Sequence, residues 1–332
     1  MKILAAAHDP GGANAVVPVL AELMRRGHEV VALAEGPARE IFSAQGVPLG
    51  DCAQPALVLV GTSAGESIDK KVTARMRGVP TVAVLDFWSN YWQRFSSLGV
   101  KDFKYLPDLV CVIDDIAKQE MIAEGFPAEK LVVTGNPHFD HFADGITNEG
   151  EDSSRILFIS QPWHDTAALL GSAPPAHDEY AALETFVTAI KVLPAQYHLS
   201  LRLHPRDLAG KYDTYMSERV RLAPEATLEE ALSGSGLILG IASPVLMQAA
   251  AAGKKVLSYE PATEALDPMV SNRAGVTTRI STPEELASAL QAYAAGKWPF
   301  VTKPLREVWP AGATNRVADA ALALVKRTPL TK

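Results

Sequence analysis

The 332-residue sequence has only two cysteines, Cys52 and Cys111. Both sit in apolar stretches with no second cysteine or histidine at ligand spacing. A disulfide framework and a zinc site are therefore not expected, and both thiols read as reduced and buried. The eight histidines show no HExxH or comparable spacing, so a metal centre is not expected either. Long apolar runs are missing: Gly236 to Ala252 is broken by Ser243 and Pro244 and is too short to span a bilayer. The N-terminal MKILAAAHDPGG carries one lysine and a brief apolar run, which reads as a first strand and not a leader. Excess positive charge is missing as well. With 31 basic and 38 acidic residues the net charge is −7, which gives no long-range attraction for nucleic acid or anionic lipid. The expectation is a cytoplasmic protein with no nucleic-acid partner and at most peripheral membrane association. An anionic ligand would have to be held by a local site.

What the sequence does contain is ordinary globular material, 48% hydrophobic and 21% charged, long enough for two cores. Met1–Ala7 predicts a buried strand. Ala13–Arg26 predicts a helix with Val16, Val17, Leu20, Leu23 and Met24 on one face and Gly27 as its C-terminal stop, and Glu29–Ala34 a second strand. A βαβ start of this kind implies a parallel sheet. Apolar runs at 56–61, 81–86, 109–113 and 130–134 continue the alternation. The polar stretch Asp144–Ser154 interrupts it and predicts a domain boundary, giving domains 1–150 and 151–332. The second half restarts with strands at 155–160, 198–203, 237–241 and 255–259. TPEE at Thr282 predicts a capping box, and the last helix, near Thr314–Lys326, could lie on either domain.

Candidate functional residues fall at the predicted strand ends, where open parallel sheets bind ligands. His8-Asp9-Pro10-Gly11-Gly12-Ala13-Asn14 leaves the first strand and opens a helix. His8 or Asp9 is placed to act as a general base, Gly11, Gly12 and Asn14 to line the ligand, and Asp9 alternatively to cap the helix. Arg202-Leu203-His204-Pro205 sets an imidazole among guanidinium groups, suited to a phosphate. Ser243-Pro244, with Gln248 downstream, reads as a helix start that binds an anion, or as a plain cap. Glu260, Thr263 and Glu264 end the next strand, where a carboxylate can take ribose hydroxyls. Asp86-Phe87-Trp88 heads an aromatic-rich segment, in which Asp86 and Trp88 suit a sugar face or simple packing.

Val133-Thr134-Gly135-Asn136-Pro137-His138-Phe139-Asp140, the Arg-x-His-Pro segment, and Ser243-Pro244 with Gln248 ahead of Gly253-Lys254-Lys255 resemble nucleotide-sugar enzymes of the GT-B fold. The resemblance is to bacterial surface-polysaccharide glycosyltransferases, among them sialyl, polysialyl and Kdo transferases and CDP-glycerol glycerophosphotransferases. It implies an α/β, GT-B-like chain of two Rossmann-like domains facing a central cleft. It also implies a nucleotide-sugar donor held by the second domain through His204 and Ser243, and a glycan or other hydroxyl acceptor on the first. No cofactor beyond that donor is expected, and a homodimer is compatible. The sialyltransferase Asp/Glu-Asp/Glu-Gly motif is absent, so Asp9 as base rests on position alone. The TGN segment is also similar to UDP-N-acetylglucosamine 2-epimerases, although LRLHPRD departs from their His-Arg-Arg-Glu-Asn motif. An epimerase-like enzyme and a silent nucleotide-sugar-binding protein are the alternatives.

Overall fold

The computed structural model describes residues 1–169, 175, 177–261 and 267–327. The chain forms two compact units, one of residues 1–141 with the C-terminal segment from Trp309, the other of residues 142–308. The division falls nine residues ahead of the boundary expected from the polar stretch, and the chain returns to the first unit at its end.

In unit 1, strands β1 (Lys2–Ala7), β2 (Glu29–Ala34), β3 (Leu57–Val60), β4 (Thr81–Val84), β5 (Leu109–Val112) and β6 (Leu131–Val133) form one sheet in the order β2-β1-β3-β4-β5-β6. Every pairing is parallel. Helices cover both faces of such a sheet, so its strands carry continuous apolar runs, and all of β3 and β4 is buried. The helices are α1 (Pro10–Arg25), α2 (Ala38–Ala44), α3 (Ile68–Arg75), α4 (Tyr91–Arg94) and α5 (Asp115–Ala123).

Unit 2 repeats the plan. Its strands are β7 (Asp152–Ile159), β8 (His198–Arg202), β9 (Val220–Leu222), β10 (Ser235–Gly240), β11 (Lys255–Tyr259) and β12 (Thr278–Ile280), in the order β12-β11-β10-β7-β8-β9, again all parallel. Its helices are α6 (Trp163–Leu169), α7 (Glu179–Ala189), α8 (Leu228–Ser233), α9 (Pro244–Ala251), α10 (Val270–Arg273), α11 (Pro283–Ala294) and α12 (Leu305–Val308). Each unit has its own core. Unit 1 is filled around Ile3, Leu20, Phe42 and Leu59, and unit 2 around Phe158, Phe186, Leu201 and Leu257.

The edge strands β9 and β12 escape sequence reading because each is three residues long and carries an arginine at its centre. Cys111 is buried in β5, which pushes its thiol up to about 12. Cys52 is only half-buried, a correction to the expectation: it follows Asp51 in a polar loop, not a strand. The TPEE motif caps α11 with one bond of the reciprocal pair. Thr282 Oγ1 accepts from Glu285 N–H at 3.1 Å, while the Glu285 carboxylate takes Ser281 N–H at 2.8 Å. The reciprocal box is made instead by Thr227 and Glu230 at α8.

The final helix, α13 (Ala313–Arg327), belongs to unit 1, where Val317, Ala318 and Ala321 enter the core. The TGNPHFD segment holds it there. The Asp140 carboxylate accepts from Gly312 N–H at 2.8 Å, Ala313 N–H at 3.2 Å, Thr314 N–H at 2.9 Å and the Thr314 hydroxyl at 2.8 Å. It thus satisfies the free donors of the first helical turn. Arg316 Nε donates to Thr134 O at 2.7 Å. Gly135 has φ +84°, and a Cβ there would stand 2.9 Å from that of Ala313. In this chain the segment docks the returning helix.

Candidate functional site

In a doubly wound sheet the crevice opens where successive strands run to opposite sides of the first one. In unit 2 that point lies between β7 and β10. Gln161, just past β7, accepts Ala242 N–H through Oε1 at 3.0 Å, joining the two loops there. Ser243 occupies the N-cap of α9 with Pro244 at the first helical position, and its Oγ accepts from Val245 N–H at 3.3 Å. The capping reading of Ser243 is therefore realised. Pro244 is exposed, and Gln248 stands half-buried one turn on.

His204 lies past β8 on the other side of β7. Its Nδ1 accepts Arg206 N–H at 3.1 Å, so the neutral ring carries its proton on Nε2, the nitrogen left to donate. Burial, and then the neighbouring Arg206 charge, hold its pKa below the ordinary histidine value. The loop is fixed from below by a buried network. Asp207 Oδ2 accepts from His204 N–H at 2.8 Å and from Ser160 Oγ at 2.6 Å, and Asp207 Oδ1 pairs with Lys211 at 2.7 Å. Lys211 also reaches Glu179 at 2.7 Å and Asp165 at 2.8 Å. Burial alone would raise the Asp207 carboxyl, but the Lys211, Ser160 and His204 donors together carry it below its usual range. Burial would likewise lower Lys211, and its three carboxylate partners overcome it. The imidazole thus stands on a rigid platform.

Arg202 is used differently from the expectation. Its guanidinium donates to Glu225 O at 2.6 Å and Ala226 O at 3.2 Å, pinning the connection from β9 to α8 in place of facing a phosphate.

Glu260 follows β11. The residue is 8% exposed, and its Oε1 is buried with no hydrogen-bond partner. Burial, and then the charge of Asp267, push its carboxyl up to about 7. Its neighbours Thr263 and Glu264 lie outside the described residues.

In unit 1 the switch point lies between β1 and β3. Asp9 takes the N-cap position of α1 but its carboxylate makes no cap bond, and the helix begins at Pro10, three residues before the predicted start. Gly11 and Gly12 consequently lie inside the first turn. The close neighbours they admit are the chain's own: a Cβ on Gly11 would stand 2.0 Å from Asp86 Oδ2, and one on Gly12 3.1 Å from Thr62 N and 3.2 Å from Gly61 Cα. This corrects the reading of the pair as a ligand turn. Asn14 is half-buried one turn further. The His8 ring lies against Gly36, and its Nδ1 is buried without a partner.

Asp86 is engaged through one carboxylate oxygen and its backbone carbonyl. Its Oδ1 accepts from Thr62 Oγ1 at 2.8 Å and Arg94 at 2.6 Å, and its backbone O accepts from Asn136 Nδ2 at 3.0 Å. Trp88 is packing and not a sugar platform, because it is buried against Phe139 and Trp309 and both indoles donate to Asp114. The partners Arg94, Thr62 and Asp114, and the Asp207–Lys211 platform, are missed by sequence reading. Among the described residues no group of three or more His, Cys, Asp or Glu could hold a metal ion, and no helix is long and apolar enough to cross a membrane.

No family model matches the chain, and no curated protein sequence matches it. Its fold has solved counterparts. A UDP-GlcNAc 2-epimerase from Neisseria meningitidis bound to UDP-GlcNAc superposes with a TM-score of 0.63 at 15% identity, over 98% of this chain and 100% of that one. A Methanocaldococcus jannaschii UDP-GlcNAc 2-epimerase, in complex with UDP-GlcNAc and UDP, gives 0.64 at 12% identity over 98% and 100%. MurG of Acinetobacter baumannii gives 0.58 at 14% identity over 97% and 99%. Two parallel six-stranded Rossmann-like sheets and these likenesses define a GT-B-type fold.

Proposed function

We propose that the chain is a nucleotide-sugar enzyme, a glycosyltransferase that moves a sugar from a nucleotide-sugar donor to a glycan or other hydroxyl acceptor. The observation that carries the reading is Glu260, a buried residue at a strand end of unit 2 whose Oε1 is buried with no hydrogen-bond partner. Two vicinal ribose hydroxyls supply the donors such a group lacks, and retention of an unpaired buried carboxylate is otherwise unfavourable. Two further groups stand at strand ends of the same sheet. Ser243 at the start of α9 offers a hydroxyl for the diphosphate. His204 offers an Nε2 proton to a phosphate oxygen as the sugar departs. In unit 1 the uncapped carboxylate of Asp9 is the group that takes the proton of the acceptor hydroxyl.

A second reading, a UDP-N-acetylglucosamine 2-epimerase-like enzyme, is supported by the higher TM-scores of the epimerases, 0.63 and 0.64 against 0.58 for MurG. A thermal-shift panel of CMP, CDP, UDP, GDP and TDP, followed by turnover of the matching nucleotide-sugars, separates the two. Nucleotide release that requires an acceptor supports transfer. Isomerised or hydrolysed UDP-sugar without an acceptor supports the epimerase. Binding with no turnover contradicts both.

A further inference from the structure

The opposite end of unit 2, where β11 begins at Lys255, carries a surface that the nucleotide-sugar reading does not use. Residues 295–304 connect α11 to α12 without regular secondary structure, and Pro299 and Pro304 fix the backbone φ there and supply no N–H. Two anchors hold this segment. Trp298 packs edge-on against Tyr293 and Phe300, with ring centroids 6.1 and 5.1 Å apart, and Lys303 N–H donates to Gly275 O at 2.8 Å. Between the anchors Val301 is 99% exposed, and Trp298 and Phe300 remain half-exposed. An apolar side chain so completely in water, beside two partly wet aromatics, marks a contact surface.

Charge says what the contact is. Residues 295–304 contain no acidic residue and two basic ones, Lys297 and Lys303, in a chain whose net charge is −7; the flanking acidic residues are Glu285 in α11 and Glu307 in α12. Clefts of about 260 and 370 Å³ flank Trp298, share Lys255 in their walls, and have no acidic side chain among their lining residues. Lys255 is exposed, whereas Lys254 is buried and paired with Glu151 at 3.0 Å. We propose that this face docks on an anionic lipid bilayer. Trp298, Phe300 and Val301 enter the interfacial layer, while Lys255, Lys297 and Lys303 meet the headgroup phosphates. A free phosphate would make no use of Val301. A two-fold pairing of this face with a second copy would set like charges against each other.

Co-sedimentation of the full chain with vesicles of phosphatidylcholine alone, or mixed equally with phosphatidylglycerol, tests the proposal. The anionic vesicles should bind at least about tenfold more tightly, with an advantage that salt removes. Val301→Asp, at a position where no packing is lost, should weaken that binding about tenfold, and Lys297→Glu with Lys303→Glu should abolish the lipid preference. Brominated lipid should quench a fluorescence component that Trp298→Phe removes. Equal binding to both vesicles, equal binding by Val301→Asp, or a lipid-free dimer that Val301→Asp dissociates would each overturn it.

Discussion

Asp86 and Glu260 are both carboxylates just past a parallel strand, one in each unit, with little of the side chain of the first and little of the second residue in solvent, and they differ in what surrounds them. The Asp86 side chain is 12% exposed and has a guanidinium and a hydroxyl on one oxygen. Glu260 is 8% exposed and has an orphaned oxygen. Partnering is the difference the hydrogen bonds show. A partnered carboxylate ties the β3 loop and α4 together. An unsatisfied one makes the free chain less stable than it could be, and a ligand with hydroxyl donors removes that deficit. The contrast places structural work at the Asp86 site and ligand work at the Glu260 site.

The contrast can be broken most forcefully at Arg94. Arg94→Ala leaves Asp86 buried without its cation, and urea unfolding should show a loss of about 3–5 kcal/mol. Pairing Arg94→Met with Asp86→Asn should recover most of it. A loss below about 1 kcal/mol in the single variant would mean that Asp86 is free to bind ligand after all.

Asp9→Asn removes a base without emptying the N-cap position, so transfer to the acceptor should slow by about 10²–10⁴ while nucleotide affinity holds. Undiminished turnover would move the base elsewhere. His204→Ala should lower activity at least tenfold, equivalent to about 1.5–3 kcal/mol for a charge-assisted hydrogen bond, with little change in melting temperature. A large stability loss would instead assign His204 to the Asp207–Lys211 platform. The smallest effect is expected at the docked C-terminal helix. Asp140→Ala should cost about 1–2 kcal/mol and speed amide exchange in 313–327, leaving ligand affinity in unit 2 unchanged.

Much of the architecture is legible in the sequence because it is local. The buried strands of a covered parallel sheet are unbroken apolar runs, Gly27 stops α1 with φ +83°, and Thr282 starts α11. The site is less legible because its decisive facts are distances between remote segments. Nothing near Gly11 announces that Asp86 will lie over it, and the indole of Trp88 looks available until Asp114 and Trp309 close on it. Arg202 stands beside His204 in sequence, yet the carbonyls of Glu225 and Ala226 claim its guanidinium. TGNPHFD reads as a family mark, and its physical role, capping a helix that starts at residue 313, appears only when the chain returns.

The central claim, that Glu260 is held unpaired for a ligand, is tested by the pH dependence of stability in the wild type and in Glu260→Gln. A carboxyl raised from 4.5 to about 7 binds more protons folded than unfolded across that interval. Stability of the free chain should therefore fall as pH rises from about 4.5 through about 7, by about 3 kcal/mol from this group, and stay reduced above it. Half-buried histidines such as His177 and His204, whose pKa values are lowered, contribute with the opposite sign, so the difference between the two proteins isolates Glu260. Glu260→Gln should flatten that difference curve and, at pH 8, bind the nucleotide found by the thermal-shift panel about tenfold more weakly. Identical pH profiles with undiminished nucleotide affinity would contradict the account.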